Sequence, residues 1–336
     1  MPAAFWTALP RQAVRCRLCA HFCHLDAGQR GRCGVRVNEN GTLISLVEDV
    51  VTGVAMDPVE KKPLYHVLPG SLTFSVGSAG CNFSCRFCQN HHISRTPADS
   101  GQLPGQHASP AQLVEMAVAQ GAASVAFTYN EPTVFLELLR PTAALAAERG
   151  LPSLLVTNGF MSQDCLRALG PLVRAANVDL KGFSEDFYAR WCGGRLHVVL
   201  DNLRRMKACG WWLEITTLII PGINDSRDEL RQLARFICQE LGPETPWHLS
   251  AFHGAYHMRT HPSTPPSLLE SCRELGLTEG LRFVYVGNVP DTESRHTVCP
   301  RCGAVCIRRD GWRVQCLGTT AGQCPACGHA LPGIWS

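Results

Sequence analysis

The sequence has no run approaching the roughly 18 consecutive apolar residues that a membrane-spanning helix requires, so none of its 336 residues predicts a transmembrane anchor. Its opening, MPAAFWTALPRQAVRCRLC, lacks the basic start, apolar stretch and small-residue cleavage site of a secretory signal. Charge of one sign is also scarce: a net charge of +3 is too mild to argue for nucleic acid by itself. Missing too is the even cysteine spread of a disulfide scaffold, because the 18 cysteines fall mostly in three clusters. Clustered CxxC-type spacing in a long chain indicates metal binding in a reduced compartment. These absences predict a cytoplasmic protein with one large catalytic domain and small appendages.

What is present is concentrated thiol. The stretch CNFSCRFCQN places Cys81, Cys85 and Cys88 in one Cys-x3-Cys-x2-Cys loop, with Phe87 just before the third. Three thiolates are one short of a closed cluster or structural zinc site, so this loop has room for another ligand. Upstream, Cys16, Cys19, Cys23 and Cys33 lie in a short polar segment, with His21 and His24 as substitutes. So small a segment cannot build its own core, and a metal is its natural staple; four thiolates suit zinc and an iron–sulfur cluster alike. Downstream, CPRCG (Cys299, Cys302) and CPACG (Cys324, Cys327) flank a hairpin expected around Asp310 and Gly311, a zinc-ribbon pattern. Cys306 and Cys316 compete as ligands from strand-like surroundings. Cys165, Cys192, Cys209, Cys238 and Cys272 stand apart, and isolated cysteines of this kind pack as small hydrophobes.

Between the cysteine-rich ends, SLTFSV, SVAFTY, PSLLVT, NVDLK, WLEITTLII, WHLSAF and RFVYVG alternate with segments of helical periodicity. That alternation predicts a parallel sheet with helical crossovers, and Ser226 with Glu229 predicts a capping box. Asn40 and Gly41 between apolar runs predict a hairpin. Pro58, Pro63 and Pro69 interrupt regular structure, which leaves Glu60, Lys61 and Lys62 as a solvated turn.

The Cys81 loop is the signature of the radical S-adenosylmethionine (SAM) superfamily. With the four-cysteine start and the run DPVEKKPL at 57–64, the chain resembles the radical SAM member of the AmmeMemoRadiSam system over residues 16–335. A broader likeness, carried by Cys85, Cys88 and Asn90, is to the activating enzymes of glycyl radical enzymes. The resemblance implies a partial (βα)6 TIM-like barrel extended by RFVYVG, between a small N-terminal cysteine-rich module and a C-terminal zinc-ribbon-like module. It also implies a [4Fe-4S] cluster on Cys81, Cys85 and Cys88 whose open iron is chelated by SAM. Reduction then yields methionine and a 5′-deoxyadenosyl radical that abstracts hydrogen. An electron donor such as flavodoxin or ferredoxin is implied, a protein is one class of substrate, and AMMECR-like and Memo-like proteins are associates implied by the family. Expected divisions are 1–66, 67–292 and 293–336.

In such a barrel chemistry gathers at the C-terminal strand ends. Tyr129, Asn130, Glu131 and Pro132 stand where many superfamily members carry Gly-Gly-Glu-Pro, which implies that Glu131 accepts from the SAM ammonium; capping the next helix is its plainer role. Thr157 and Asn158, before Gly159, offer bonds to ribose or carboxylate oxygens, or serve a turn. Asp179 and Lys181 share a strand face, either as an ion pair or, by likeness to the activases, as an active-site pair with Lys181 catalytic. Glu214, Thr216 and Leu218 share the face of the fifth strand, and Glu214 and Thr216 are candidate cofactor contacts. His248, Ser250 and Phe252 share the face of the sixth, followed by His253, Tyr256 and His257; they are structural or form a candidate substrate site, with His248 a candidate cofactor contact. Ala251 and Gly254 depart from the Arg and Pro of relatives there, and Trp211 and Trp212 are packing residues. Three functions compete: a radical SAM enzyme, a glycyl radical activase, and a noncatalytic metal-binding scaffold or nucleic-acid adaptor working through its ribbon. An open cluster site favours catalysis, since an adaptor has no use for one.

Overall fold

The computed structural model describes residues 2–289, 293–318 and 322–336. The expected boundary at 292 lies outside the described residues. Among these residues, an eight-stranded sheet runs in the order Val284–Gly287, Trp247–Ala251, Trp212–Ile219, Val173–Asp179, Ser153–Thr157, Ser124–Phe127, Leu72–Gly77 and Gly53–Pro58. Every adjacent pair is parallel except the last. Each parallel strand lies beside its successor in sequence, the order that repeated βα units produce. The strand Ser124–Phe127 is buried at every position, which is why such strands appear as continuous apolar runs. RFVYVG supplies the seventh parallel strand. The antiparallel edge strand Gly53–Pro58 was not evident in the apolar pattern.

Crossover helices include Pro110–Ala119, Leu136–Glu148, Leu196–Ala208, Arg227–Phe236 and Pro266–Thr278. Ser109 and Gln112 form a reciprocal capping box at the first of these. The box expected at Ser226 does not form, because the Glu229 carboxylate accepts the Phe183 N–H at 2.8 Å instead. Gly276 sits inside the last helix for a packing reason: a Cβ there would lie 2.9 Å from the fully buried Trp247 ring.

Residues 59–68 plug the lower end of the sheet. Val59, Leu64 and Val67 pack on Ala126, Leu154 and Ala175, where two alanines leave room for the inserted chain. The Asn177 amide donates to the Pro63 carbonyl at 2.8 Å. The solvated turn expected at 60–62 is therefore corrected: Glu60 and Lys62 are only 4% and 3% exposed. Glu60 accepts the Gly70 N–H and faces Arg309, and Lys62 pairs with Asp57. Lys61 alone of the three is exposed.

The expected N-terminal hairpin pairs Arg36–Glu39 with Thr42–Ser45 through Asn40 and Gly41, both at positive φ. Its Arg36 forms a buried ion pair with Glu137 of a crossover helix. At the other end, Thr297–Val298, Val305–Asp310 and Arg313–Cys316 form a small antiparallel sheet whose turn is Gly311 and Trp312, one residue beyond the expected centre. Its buried Arg309 donates to the Tyr65 carbonyl at 2.7 Å and stacks 4.1 Å from the Tyr65 ring centre. The Leu68 N–H donates to the Ile334 carbonyl at 2.8 Å, so the C-terminal segment is stitched to the plug. Among the described residues no helix is long and apolar enough to cross a membrane.

Candidate active site

The cleft at the C-terminal strand ends encloses about 560 Å³. It gathers Cys81, Cys85 and Cys88 with Tyr129, Asn130 and Glu131 from the second strand end, and Thr157, Asn158, Asp179, Lys181 and Thr216 from the next three. Each is a residue that the strand-end rule singled out.

The cysteine loop is held by its surroundings. Gly80 has φ +86°, and a Cβ there would lie 2.7 Å from the Cys33 carbonyl, so only glycine lets the loop back onto the N-terminal module. The Phe83 N–H approaches Cys81 Sγ at 3.4 Å and the Ser94 hydroxyl lies 3.2 Å from Cys88 Sγ. Burial pushes the Cys81 and Cys88 thiols up, while for Cys85 the adjacent Cys192 thiol leads and burial follows. Buried thiolates are costly without bound cations, and three thiols grouped at a cleft are a donor set that fits a metal cluster. Among the described residues, only the C-terminal quartet brings three or more such ligand atoms within 4.8 Å of one another. The three sulfurs here are spread more widely, as suits separate irons of a cluster rather than one ion.

Glu131 frames the wall opposite. One carboxylate oxygen accepts from the Thr133 N–H at 3.0 Å, the Thr133 hydroxyl at 2.6 Å and the Thr157 hydroxyl at 2.7 Å; the other accepts the Asn158 N–H at 2.8 Å. Burial outweighs these four donors and holds its carboxyl above the usual carboxylate range. Its helix-capping role is thus present, alongside a bracing role across two strand ends. Asn158 then donates to the Asn82 side chain at 2.7 Å, and Asn130 donates to the Gly80 carbonyl at 2.8 Å, which ties both strand ends to the cysteine loop.

A third wall comes from a segment that sequence reasoning assigned to solvent. Asp57 accepts from Lys62 at 2.8 Å, Lys61 at 3.1 Å and the Tyr129 hydroxyl at 2.6 Å. Burial pushes the Asp57 carboxyl up, but the bonds from Lys62 and Tyr129 outweigh it and hold it well below the usual carboxylate range. Tyr129 sits at φ +70°, uncommon outside glycine, and Lys62 lies 4.6 Å from its ring centre. Asp57, Lys61, Lys62 and Pro63 all line the cleft. The one available signal was the acid five residues before a paired lysine.

Lys181 pairs with Asp179 at 2.9 Å. Burial lowers its ionisation, and the charges of Asp179, Cys85 and Cys192 outweigh burial, so the ammonium is held firmly protonated beside the cysteine loop. Cys192, seen in sequence as an isolated cysteine, is a sulfur neighbour of Cys85, its carbonyl accepting the Ser84 N–H at 2.8 Å. Thr216 presents a buried hydroxyl without a partner among the described residues. A buried polar atom of this kind at a cleft wall fits a polar ligand.

Glu214 and His248 are corrected. Both lie below the cleft: Glu214 accepts the backbone N–H groups of Tyr65 and His66 at 2.9 and 2.8 Å, Trp212 Nε1 at 3.1 Å, and bonds His248 Nε2 at 2.6 Å. The plug, Trp212 and His248 use the capacity of Glu214, His248 is spent on Glu214, and neither residue lines the cleft. Ser250 lines the cleft, as does Asn288, which sequence reasoning missed. Phe252 is buried, while Tyr256 stacks 4.8 Å from His91 and donates to Asp99 at 2.8 Å, covering the outer side of the cysteine loop.

The C-terminal quartet is differently built. Cys299, Cys302, Cys324 and Cys327 place their sulfurs within 4.8 Å of one another, with 3.7 Å between Cys299 and Cys327 and 3.5 Å between Cys302 and Cys324. Ligands about 2.3 Å from one tetrahedral ion would stand roughly 3.8 Å apart, so the quartet fits a single metal ion. Cys306 instead faces the Ala304 carbonyl, and Cys316 is exposed.

Comparison with known proteins agrees with this geometry. Residues 75–237 match the model of the radical SAM superfamily. An uncharacterized protein of Methanocaldococcus jannaschii is 39% identical over 331 residues, 98% of each chain. Similarity extends to glycyl-radical enzyme activating enzymes, at 27% identity over 164 residues of another Methanocaldococcus jannaschii protein, 47% of this chain and 60% of that relative. In fold, a radical SAM methyltransferase from Sphaerobacter thermophilus superposes with a TM-score of 0.53 at 16% identity, covering 65% of this chain and 67% of the other.

Proposed function

From the match of residues 75–237 to the radical SAM superfamily model, we propose that the chain is an enzyme that cleaves SAM reductively at a [4Fe-4S] cluster on Cys81, Cys85 and Cys88 and abstracts hydrogen from a substrate. The observation that carries this reading is the three-cysteine loop opening into a cleft walled by strand-end polar groups. When bound, cluster and SAM supply an electron to the sulfonium and an adenosyl radical to the substrate. The chain's own residues orient and insulate. Glu131 braces Thr157 and Asn158; the bonded set of Asp57, Lys62 and Tyr129 fixes one wall; Lys181 offsets negative charge near Cys85; and Thr216 and Asn130 offer hydroxyl and amide groups to SAM.

Within this reading the C-terminal quartet holds zinc, the electron donor is a flavodoxin or ferredoxin, and the location is the cytoplasm, where such donors are found. We further place the protein in the AmmeMemoRadiSam system, with AMMECR-like and Memo-like associates and a protein as one class of substrate. The division at 66/67 and 292/293 is part of the proposal, with Arg309 and His66 bonding across it. A second reading, activation of a glycyl radical enzyme, draws support from the 27% identity over 164 residues to a glycyl-radical enzyme activating enzyme of Methanocaldococcus jannaschii.

The test is anaerobic reconstitution followed by dithionite, SAM and quantitation of 5′-deoxyadenosine. Wild type is expected to form it and Cys85→Ala to fall to background. A wild-type protein with an EPR-active cluster and no product, or an undiminished Cys85→Ala variant, would reject the reading.

A further inference from the structure

The N-terminal cysteines form a second thiol site, and its geometry separates it from the C-terminal quartet. The Cys16 N–H donates to the Cys23 carbonyl at 2.9 Å, and a Cβ at Gly31 would lie 3.8 Å from Cys33 Sγ and 4.0 Å from Cys23 Sγ. Cys19 lies beside Met161 in an isolated bridge, close enough for its thiol to feel the charges of Cys16, Cys33 and Cys23. The four sulfurs thus surround one region, yet no three of them lie within 4.8 Å of one another, whereas all four of the quartet do. One tetrahedral ion needs its sulfurs roughly 3.8 Å apart. A cluster spreads its thiolates over separate irons, as in the wider spacing of the Cys81 loop.

Charge supplies a second, independent observation. Arg36 is 1% exposed, its guanidinium 4.0 Å from Cys16 Sγ, and its Nε has no partner among the described residues. This buried cation also pairs with Glu137, and its edge nearest Cys16 offsets part of the negative charge that thiolate-ligated clusters carry. The candidate histidine ligands are otherwise engaged: His21 Nε2 bonds the Asn82 carbonyl at 2.8 Å, and the half-exposed His24 faces Asp26 at 3.6 Å.

We propose that Cys16, Cys19, Cys23 and Cys33 hold an iron–sulfur cluster of their own, not a zinc ion. It backs directly onto the Cys81 loop, through the contact of Gly80 with Cys33 and the bond from His21 to Asn82. The assignment does not depend on the chemistry proposed for that loop.

The experiment uses the full chain with Cys81, Cys85 and Cys88 all replaced by alanine, purified and reconstituted without oxygen. The variant is expected to keep iron and acid-labile sulfide in equal amounts, with about one zinc per chain at the quartet. Loss of all iron, with about two zincs or with one, overturns the inference. In the otherwise native chain, Cys19→Ala with Cys33→Ala is expected to remove that same iron and leave the zinc. Circular dichroism on this second variant excludes simple unfolding. Wild-type EPR separates the two claims: a signal that shifts on adding SAM belongs to the Cys81 loop, and the signal surviving in the triple variant is expected not to shift. If no wild-type signal responds to SAM while the triple variant keeps its iron, the proposed function falls and this inference stands.

Discussion

The Cys81 loop and the C-terminal quartet use the same ligand in opposite ways. The quartet brings four sulfurs together, and its neighbours are Tyr65, Phe283, Tyr285 and Ile307, apolar groups that pack. The loop contributes three sulfurs set farther apart, and its neighbours are polar: Lys181 paired with Asp179, Asn130 bonded to Gly80, and the Thr216 hydroxyl, which has no partner among the described residues. Ligand count and spacing, rather than ligand type, distinguish the two sites. The strand Trp212–Ile219 follows the same rule: Glu214, below the cleft, is saturated and structural, whereas Thr216, two residues on and lining the cleft, is not.

The most damaging way to probe this contrast is Cys324→Ser. Structural zinc contributes on the order of 10 kcal/mol to small domains, so the variant is expected to lose zinc and release 293–336 to limited proteolysis. Formation of 5′-deoxyadenosine should persist at a lower level, because Arg309 no longer steadies the plug that carries Lys62. Complete loss of SAM cleavage in a protein whose barrel stays folded would break the contrast. Lys62→Met comes next. Removing one partner of a buried pair typically costs about 3 kcal/mol, and Asp57→Asn in the same chain should recover part of it. An unchanged denaturation midpoint would show that Lys61 satisfies Asp57 alone.

A pH titration examines the seam between plug and ribbon. Buried His66 bonds the Tyr285 hydroxyl at 2.7 Å and the Pro332 carbonyl at 2.6 Å. Burial dominates over the opposing Glu214 charge and brings its ionisation down to about 4. The unfolded chain therefore binds a proton below about pH 6.5 that the folded chain refuses. The stabilising contribution is whole above that pH and declines as pH falls toward 4, by on the order of 3 kcal/mol. Denaturant unfolding of wild type minus His66→Gln across this window should show that slope, and parallel profiles would remove His66 as its source.

Much of the site was legible because period-2 strands and the strand-end rule act locally: Glu131, Asn158, Asp179 and Thr216 all arrive in the cleft. What escaped depends on partners far along the chain. Nothing near Lys62 announces that Tyr129 will share its Asp57, and prolines in that segment suggest a surface turn although it fills the sheet's lower end. Glu214 looks like a cofactor ligand until Tyr65 and His66, some 150 residues upstream, present their N–H groups to it. Glu229 matched a capping pattern but met a stronger claim from Phe183. Cys192 shows no spacing relation to the loop it touches, because the helical segment Tyr188–Cys192, after the fourth parallel strand, delivers it there.

Thr216→Val is the smallest expected effect and the sharpest test of the open half of the contrast. The substitution keeps shape while deleting a hydroxyl that has no partner among the described residues, so folding stability should hold or rise by up to about 1 kcal/mol. If the hydroxyl serves a ligand in the cleft, SAM binding measured by equilibrium dialysis on the reconstituted protein should weaken by about tenfold, one hydrogen bond's worth. The two readouts move in opposite directions only for a group held in reserve for a ligand; a structural hydroxyl would lose stability and leave affinity alone. An unchanged affinity with unchanged stability would place Thr216 with Glu214, on the closed side of the comparison.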